Sequence, residues 1–118
     1  VETGIDIIEI ARIRDTIERR GERFLSRIFT PKERLYCDQR ADPAVHYAGR
    51  WAAKEALYKA LGAGDLPLFE LEVLNREDGR PEVHLGPVAT ARFAGKQISI
   101  SISHCKSYAT AVAICTEG

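Results

Sequence analysis

The sequence predicts an α+β fold: an N-terminal strand and helices packed on a mainly antiparallel sheet, which the N-terminal strand can join. Two features carry this expectation. Up to Leu61 the apolar residues recur at helical spacing, whereas after Gly62-Ala63-Gly64 they alternate with polar ones. The clearest alternation is Gln97 to Ser103, with Ile98, Ile100 and Ile102 on one face and Ser99, Ser101 and Ser103 on the other. At 118 residues the chain is expected to form one domain, residues 1–118, large enough to bury a core.

Taken in order, residues 2–8 read as a short β-branched strand, with Ile5 and Ile7 facing one way and Gly4, Asp6 and Ile8 the other. Ile10, Ile13 and Ile17 then recur at helical spacing; Gly21 interrupts, and Phe24, Leu25 and Ile28 resume the stripe. Thr30-Pro31-Lys32-Glu33 is a helix start, with Thr30 as N-cap, Pro31 at N1 and Glu33 closing a capping box; this helix ends near Cys37 to Arg40. Asp42 or Pro43 opens a long central helix stopped by Gly62. Gly49, Ala52, Ala53, Ala56 and Ala60 fall on one face of it, small enough to let the helix press against a sheet.

Phe69, Leu71 and Val73 predict a strand through Asn75. The Asp78-Gly79 turn returns it as Pro81 to Leu85. Gly86-Pro87 opens a short helix from Val88 to Phe93, and the Ile/Ser strand pairs with Tyr108 to Cys115, whose alternate face is alanine. The Ser and Ala faces are small enough for a helix or another subunit to approach closely.

Composition excludes several classes. No apolar run reaches the ~20 residues of a membrane span, and the early apolar run is broken by Asp6 and Glu9, unlike a signal peptide. A cytoplasmic chain is expected. Cys37, Cys105 and Cys115 form neither a disulfide framework nor a zinc motif and read as buried small hydrophobes. Net charge is zero but uneven: nine basic residues stand against five acidic ones between Arg12 and Arg40. A basic helical region on a neutral chain suggests a local docking surface for something acidic, not general nucleic-acid binding.

Several residues have the chemistry of a site. Asp6 is an acid inside an apolar strand, which is costly unless paired, bound to a cation or left in water at an edge. Glu55 and Lys59 lie one turn apart beside the small face; read alone, they are a surface ion pair worth roughly 0.3–0.5 kcal/mol. Arg50 lies on the same helix, and His104 stands at the tight link between the last two strands. Gly62-Ala63-Gly64 could offer backbone N–H groups to a phosphate, although a helix stop accounts for Gly62 fully. Two carboxylates with a lysine are the ingredients of a Mg²⁺ site handling phosphates.

Gly4-Ile5-Asp6-Ile7, followed by Arg50-Trp51-Ala52-Ala53-Lys54-Glu55-Ala56-Leu57-Tyr58-Lys59, resembles the two-part signature of the 4′-phosphopantetheinyl transferases. Length, Asp78-Gly79-Arg80-Pro81 and Ser101-Ile102-Ser103-His104 are similar to its short subfamily, and the similarity runs along nearly the whole chain. The resemblance implies transfer of phosphopantetheine from coenzyme A to a serine of an acyl carrier protein in fatty acid biosynthesis, releasing adenosine 3′,5′-bisphosphate. It places Mg²⁺ on Asp6 and Glu55, gives Lys59 the pyrophosphate charge, and sets Arg50, Gly62 and His104 along coenzyme A. The basic first helix is implied to dock the acidic carrier through Arg12, Arg20 and Arg23. A homotrimer with sites between subunits is implied as well. The chain departs from the family at Ala63, where Gly-Thr-Gly is frequent, and in a shorter link at residues 65–68.

Two rival readings use the same residues. A metal-dependent nuclease also employs an Asp, a Glu and lysines, but it needs a nucleic-acid surface that this charge distribution does not supply. A trimeric binding domain would keep the Arg-rich helix for docking and Glu55–Lys59 as a plain salt bridge.

Overall fold

The structure, a computed structural model, describes residues 1–118. Its elements are β1 (Glu2–Glu9), α1 (Ile10–Arg20), α2 (Glu22–Ile28), α3 (Pro31–Asp38), α4 (Pro43–Leu61), β2 (Leu71–Asn75), β3 (Pro81–Leu85), α5 (Pro87–Arg92), β4 (Lys96–His104) and β5 (Tyr108–Glu117). The α+β class is as expected. One antiparallel sheet has the order β1-β5-β4, and β2-β3 forms a separate hairpin.

Local chemistry sets the boundaries. Gly21 has φ 53°, which ends α1 and starts α2. The capping box forms: Glu33 N–H donates to Thr30 Oγ1 (3.2 Å), and Thr30 N–H to Glu33 Oε1 (2.9 Å). Asp42 precedes α4 without capping it, because Arg14 takes its carboxylate in a bidentate pair at 2.9 and 3.0 Å.

Helix α4 is the centre of the molecule. It lies on the inner face of the three-stranded sheet, and Ala52, Ala53, Ala56 and Ala60 are buried against Ala111, Ala113 and Cys115. The closest approach is at β1. A Cβ added to Gly4 would stand 1.9 Å from the Ala56 carbonyl oxygen and 3.0 Å from the Ala60 nitrogen, so this contact exists only with glycine there.

The register sorts the sheet into two faces. Gly4↔Ala113↔Ile100 and Asp6↔Ala111↔Ile102 look toward α4; Ile5↔Val112↔Ser101 and Thr3↔Ile114↔Ser99 look away. The expectation that a helix can approach a small sheet face closely holds on the alanine side. The alanine face is filled by α4, and the open face carries the serines together with Ile5, Ile7 and Ile114, which are 66%, 64% and 42% exposed.

Two expectations are corrected. The strand predicted from Phe69 begins at Leu71, because Leu68–Glu70 forms a 3-10 turn. That turn shifts the phase, so Phe69 is exposed and Glu70 is buried, where its Oε1 accepts the Ala89 N–H (2.8 Å) at the start of α5. Cys37 and Cys115 are buried, but Cys105 is exposed in the β4–β5 turn.

Candidate active site

Strand alternation and the Gly4 contact deliver Asp6 to α4. Its side chain is 19% exposed, and Lys59 Nζ lies 3.6 Å from its Oδ1. Lys59 also donates to the Ile5 carbonyl oxygen (2.7 Å) on β1. The i,i+4 pair with Glu55 is not formed: the lysine turns to the strand and leaves Glu55 without a cation partner. Burial raises the carboxyl pKa of Asp6 above its ordinary value, with Lys59 opposing. Glu55 is raised as well, first by burial and second by the charge of Asp6. Two partly desolvated carboxylates that repel each other form a donor set suited to a hard divalent cation. No third His, Cys, Asp or Glu joins them, so such an ion would take its remaining ligands from water or phosphate oxygens. The residues present fit Mg²⁺.

Arg50 and His104 group elsewhere. Asp6 and His104 face the same way but stand on the two edge strands, with β5 between them and a two-residue offset along the strands, about 12 Å apart backbone to backbone. Arg50 is buried; its Nη2 donates to Asn75 Oδ1, and its Cζ stacks 4.1 Å from the Tyr36 ring centroid. Arg40 stacks on the same ring at 4.1 Å. His46 lies edge-on to Tyr36 (5.8 Å) and to His104 (6.2 Å). No salt bridge ties Arg40 or Arg50 to a carboxylate, and the Arg50 Nε–H is buried without a hydrogen-bond partner. Burial lowers the His46 pKa, and the charges of Arg50, His104 and Arg40 lower it further. This cluster presents excess positive charge and an unused donor, which suits an anion. Tyr36, Arg40 and His46 were not legible as site residues, because none stands in a motif.

Gly62 is a left-handed helix stop (φ 65°, ψ 38°) whose N–H is spent on the Tyr58 carbonyl. The helix stop accounts for Gly62 as expected, and its N–H is taken within the chain. Tyr58 donates its hydroxyl to the Leu66 carbonyl and closes the loop that follows.

Arg12, Arg20 and Arg23 do share a surface. A groove of about 540 Å³ is lined by Arg19, Arg20, Arg23, Phe24, Arg27, Ile28 and Trp51. A second of about 250 Å³ adds Arg12 and Thr16 and shares Arg19, Arg20, Phe24 and Trp51. Phe24 and Trp51 pack at 6.0 Å between ring centroids and form the apolar floor. Trp51, Glu55 and Lys59 follow at i, i+4 and i+8 on α4, so the groove runs into the carboxylate site along one helix face, about 6 Å per step.

A long small-faced helix on an antiparallel sheet, with two acidic side chains and a lysine at one sheet edge beside a basic groove, defines the class of α+β protein. The chain belongs to the 4′-phosphopantetheinyl transferase superfamily, whose sequence model matches residues 2–113. It is 50% identical over 114 residues to the holo-[acyl-carrier-protein] synthase of Protochlamydia amoebophila, covering 94% of this chain and 93% of that one. The crystal structure of the Helicobacter pylori holo-[acyl-carrier-protein] synthase in complex with coenzyme A superposes with a TM-score of 0.87 at 32% identity, covering 97% and 99% of the two chains. The Neisseria meningitidis synthase gives 0.88 at 29% identity, covering 98% of both.

Proposed function

We propose that this chain, as one domain over residues 1–118, is a holo-[acyl-carrier-protein] synthase. It transfers 4′-phosphopantetheine from coenzyme A to a serine of an apo acyl carrier protein, in the cytoplasm and for fatty acid biosynthesis. The observation that carries the reading is the β1–α4 seam, where Lys59 meets Asp6 and the Ile5 carbonyl and leaves Glu55, one turn back, without an ion-pair partner.

Asp6 and Glu55 would hold Mg²⁺, which when bound polarises the phosphoryl group and neutralises its charge. Lys59, fixed between the Ile5 carbonyl and Asp6, places an ammonium where the pyrophosphate oxygens gather charge. The carrier serine oxygen forms a new bond to phosphorus, and the phosphoanhydride P–O bond breaks. Adenosine 3′,5′-bisphosphate leaves, and the serine proton passes to a base at the two-carboxylate site, a water or one of the carboxylates. Arg12, Arg20 and Arg23 meet the acidic carrier, and Phe24 and Trp51 receive an apolar residue from it. Arg50 and His104 take a phosphate of the nucleotide end, supported by the excess charge around Tyr36.

Assembly as a homotrimer with sites between subunits fits two features. Ile5, Ile7 and Ile114 are exposed on the open sheet face, and the carboxylates and the cationic cluster sit on opposite sheet edges. A coenzyme that reaches both is served by one copy's β1 edge and another copy's β4 edge.

The test is mass spectrometry of an apo acyl carrier protein after incubation with the chain, coenzyme A and Mg²⁺. The expected result is the gain of one phosphopantetheine, abolished by chelator. No gain with several carriers overturns the assignment.

A further inference from the structure

Lys54 stands next to Glu55 in sequence, yet it points into the protein and is fully buried together with its partner Glu33. Its Nζ lies 2.8 Å from Glu33 Oε1 and donates to the carbonyl oxygens of Leu68 (3.0 Å) and Leu71 (2.9 Å). Three ammonium hydrogens thus meet three acceptors, one each from α3, the 3-10 turn and β2. Glu33 is saturated in turn: Oε1 accepts from Thr30 N–H and Oε2 from Val73 N–H (2.7 Å).

Burying two ions costs desolvation that an apolar pair of equal volume would avoid, so cohesion alone does not account for the pair. Direction does. Apolar side chains can slide past one another, whereas three hydrogen bonds from one nitrogen fix its place.

Viewed down α4 at about 100° per residue, with Lys54 at zero, Glu55 falls near 100°, Lys59 near 140°, Ala56 near 200° and Ala60 near 240°. The helix is held at Lys54 on one flank and at the Gly4 contact with Ala56 and Ala60 on the other. Glu55 and Lys59 project from the arc between these two anchors. At a side-chain radius of about 6 Å, a roll of roughly 20° would carry the Glu55 carboxylate about 2 Å. Displacements of that size are the ones catalysis does not tolerate.

We propose that Lys54, locked by Glu33, is a positioning residue that sets the roll of α4 and thereby aims Glu55 at the cation shared with Asp6. The inference rests on Glu55 being a metal ligand, and the experiment separates the two.

Mn²⁺ affinity is measured by electron paramagnetic resonance with coenzyme A present and the carrier absent, alongside the Mg²⁺ dependence of turnover, for Lys54→Met, Glu33→Gln and Glu55→Gln. Lys54→Met should weaken Mn²⁺ binding and raise half-saturating Mg²⁺ by about 10-fold or more, the usual effect of losing a group that orients a ligand. The KM for the carrier protein should stay within about threefold. In a Glu55→Gln background Lys54→Met should cause no further loss of Mn²⁺ affinity. A folded Lys54→Met protein with Mn²⁺ and Mg²⁺ dependence within twofold of the parent overturns the proposal, whatever its melting temperature. So does an equal, multiplicative loss in the Glu55→Gln background. If Lys54→Met does not fold, Glu33→Gln carries the same expectation and the same refutation. Retention of full metal affinity by Glu55→Gln would instead sink the assignment of the site itself.

Discussion

Replacing Gly4 by alanine tests how the carboxylates come to share one place. The added methyl would stand 1.9 Å from the Ala56 carbonyl oxygen, where ordinary contact begins at 3.4 Å. Strand and helix must separate by about 1.5 Å, since both obstacles are backbone and neither can rotate away. Overpacking of this kind costs about 3 kcal/mol, the upper part of its usual range, or roughly 10 °C in Tm for a chain of this size. Asp6 lies two residues along the same strand and Glu55 next to Ala56, so the separation opens the carboxylate pair by a similar distance. A displacement beyond ~1 Å lowers turnover on the order of 100-fold. The assay is the rate of phosphopantetheine gain by apo carrier protein as a function of Mg²⁺, read beside a thermal melt. Turnover within threefold of the parent, with unchanged Mg²⁺ dependence, would refute the claim that this contact sets the site.

Other substitutions probe the remaining parts. The Glu55 pKa is raised in the fold, so its protonated form is favoured there; that stability is present below the ordinary glutamate value and is lost as pH rises through the folded value. Glu55→Gln should therefore melt higher than the parent at pH 7 in chelator, with the difference closing near pH 4, while its turnover is largely gone; a lower melt at pH 7 contradicts the sign. Arg20→Glu with Arg23→Glu should raise the KM for the carrier protein at least 10-fold, leave that for coenzyme A within about twofold, and reduce the salt dependence of the reaction. Ile7→Lys on the open sheet face should lower the assembly mass in light scattering without loss of far-UV ellipticity; an unchanged mass would place the contact elsewhere.

Much of this architecture was written in local spacing. The Thr30 to Glu33 box, the Gly21 break, the Gly62 stop and the Ile/Ser alternation each depend on neighbours within a turn or a pleat, and each formed. The start of β2 did not, because Glu70 satisfies a helix start 19 residues away and no pleat period encodes that. Lys54 was hidden for a similar reason: its partner lies 21 positions back. A signal existed, since Leu57 and Leu61 stand at i+3 and i+7 from Lys54, placing it on an apolar flank of the helix. The motif gave Asp6, Glu55 and Lys59 together. It gave Arg50 and His104 too, but not their distance from the carboxylates, which depends on strand order.

Strand β1 is written in two interleaved texts. The even positions, Gly4, Asp6 and Ile8, are read by α4, and the odd positions, Thr3, Ile5 and Ile7, face the open side. Substitution can edit either text alone. A one-residue insertion or deletion before Asp6 exchanges them, turning the carboxylate outward and isoleucine toward the helix. Over evolutionary time this stretch can change its letters but not its count. An engineer who wants a monomer must work under the same restriction, recolouring Ile5 and Ile7 in place while the spacing from Gly4 to Asp6 stays fixed.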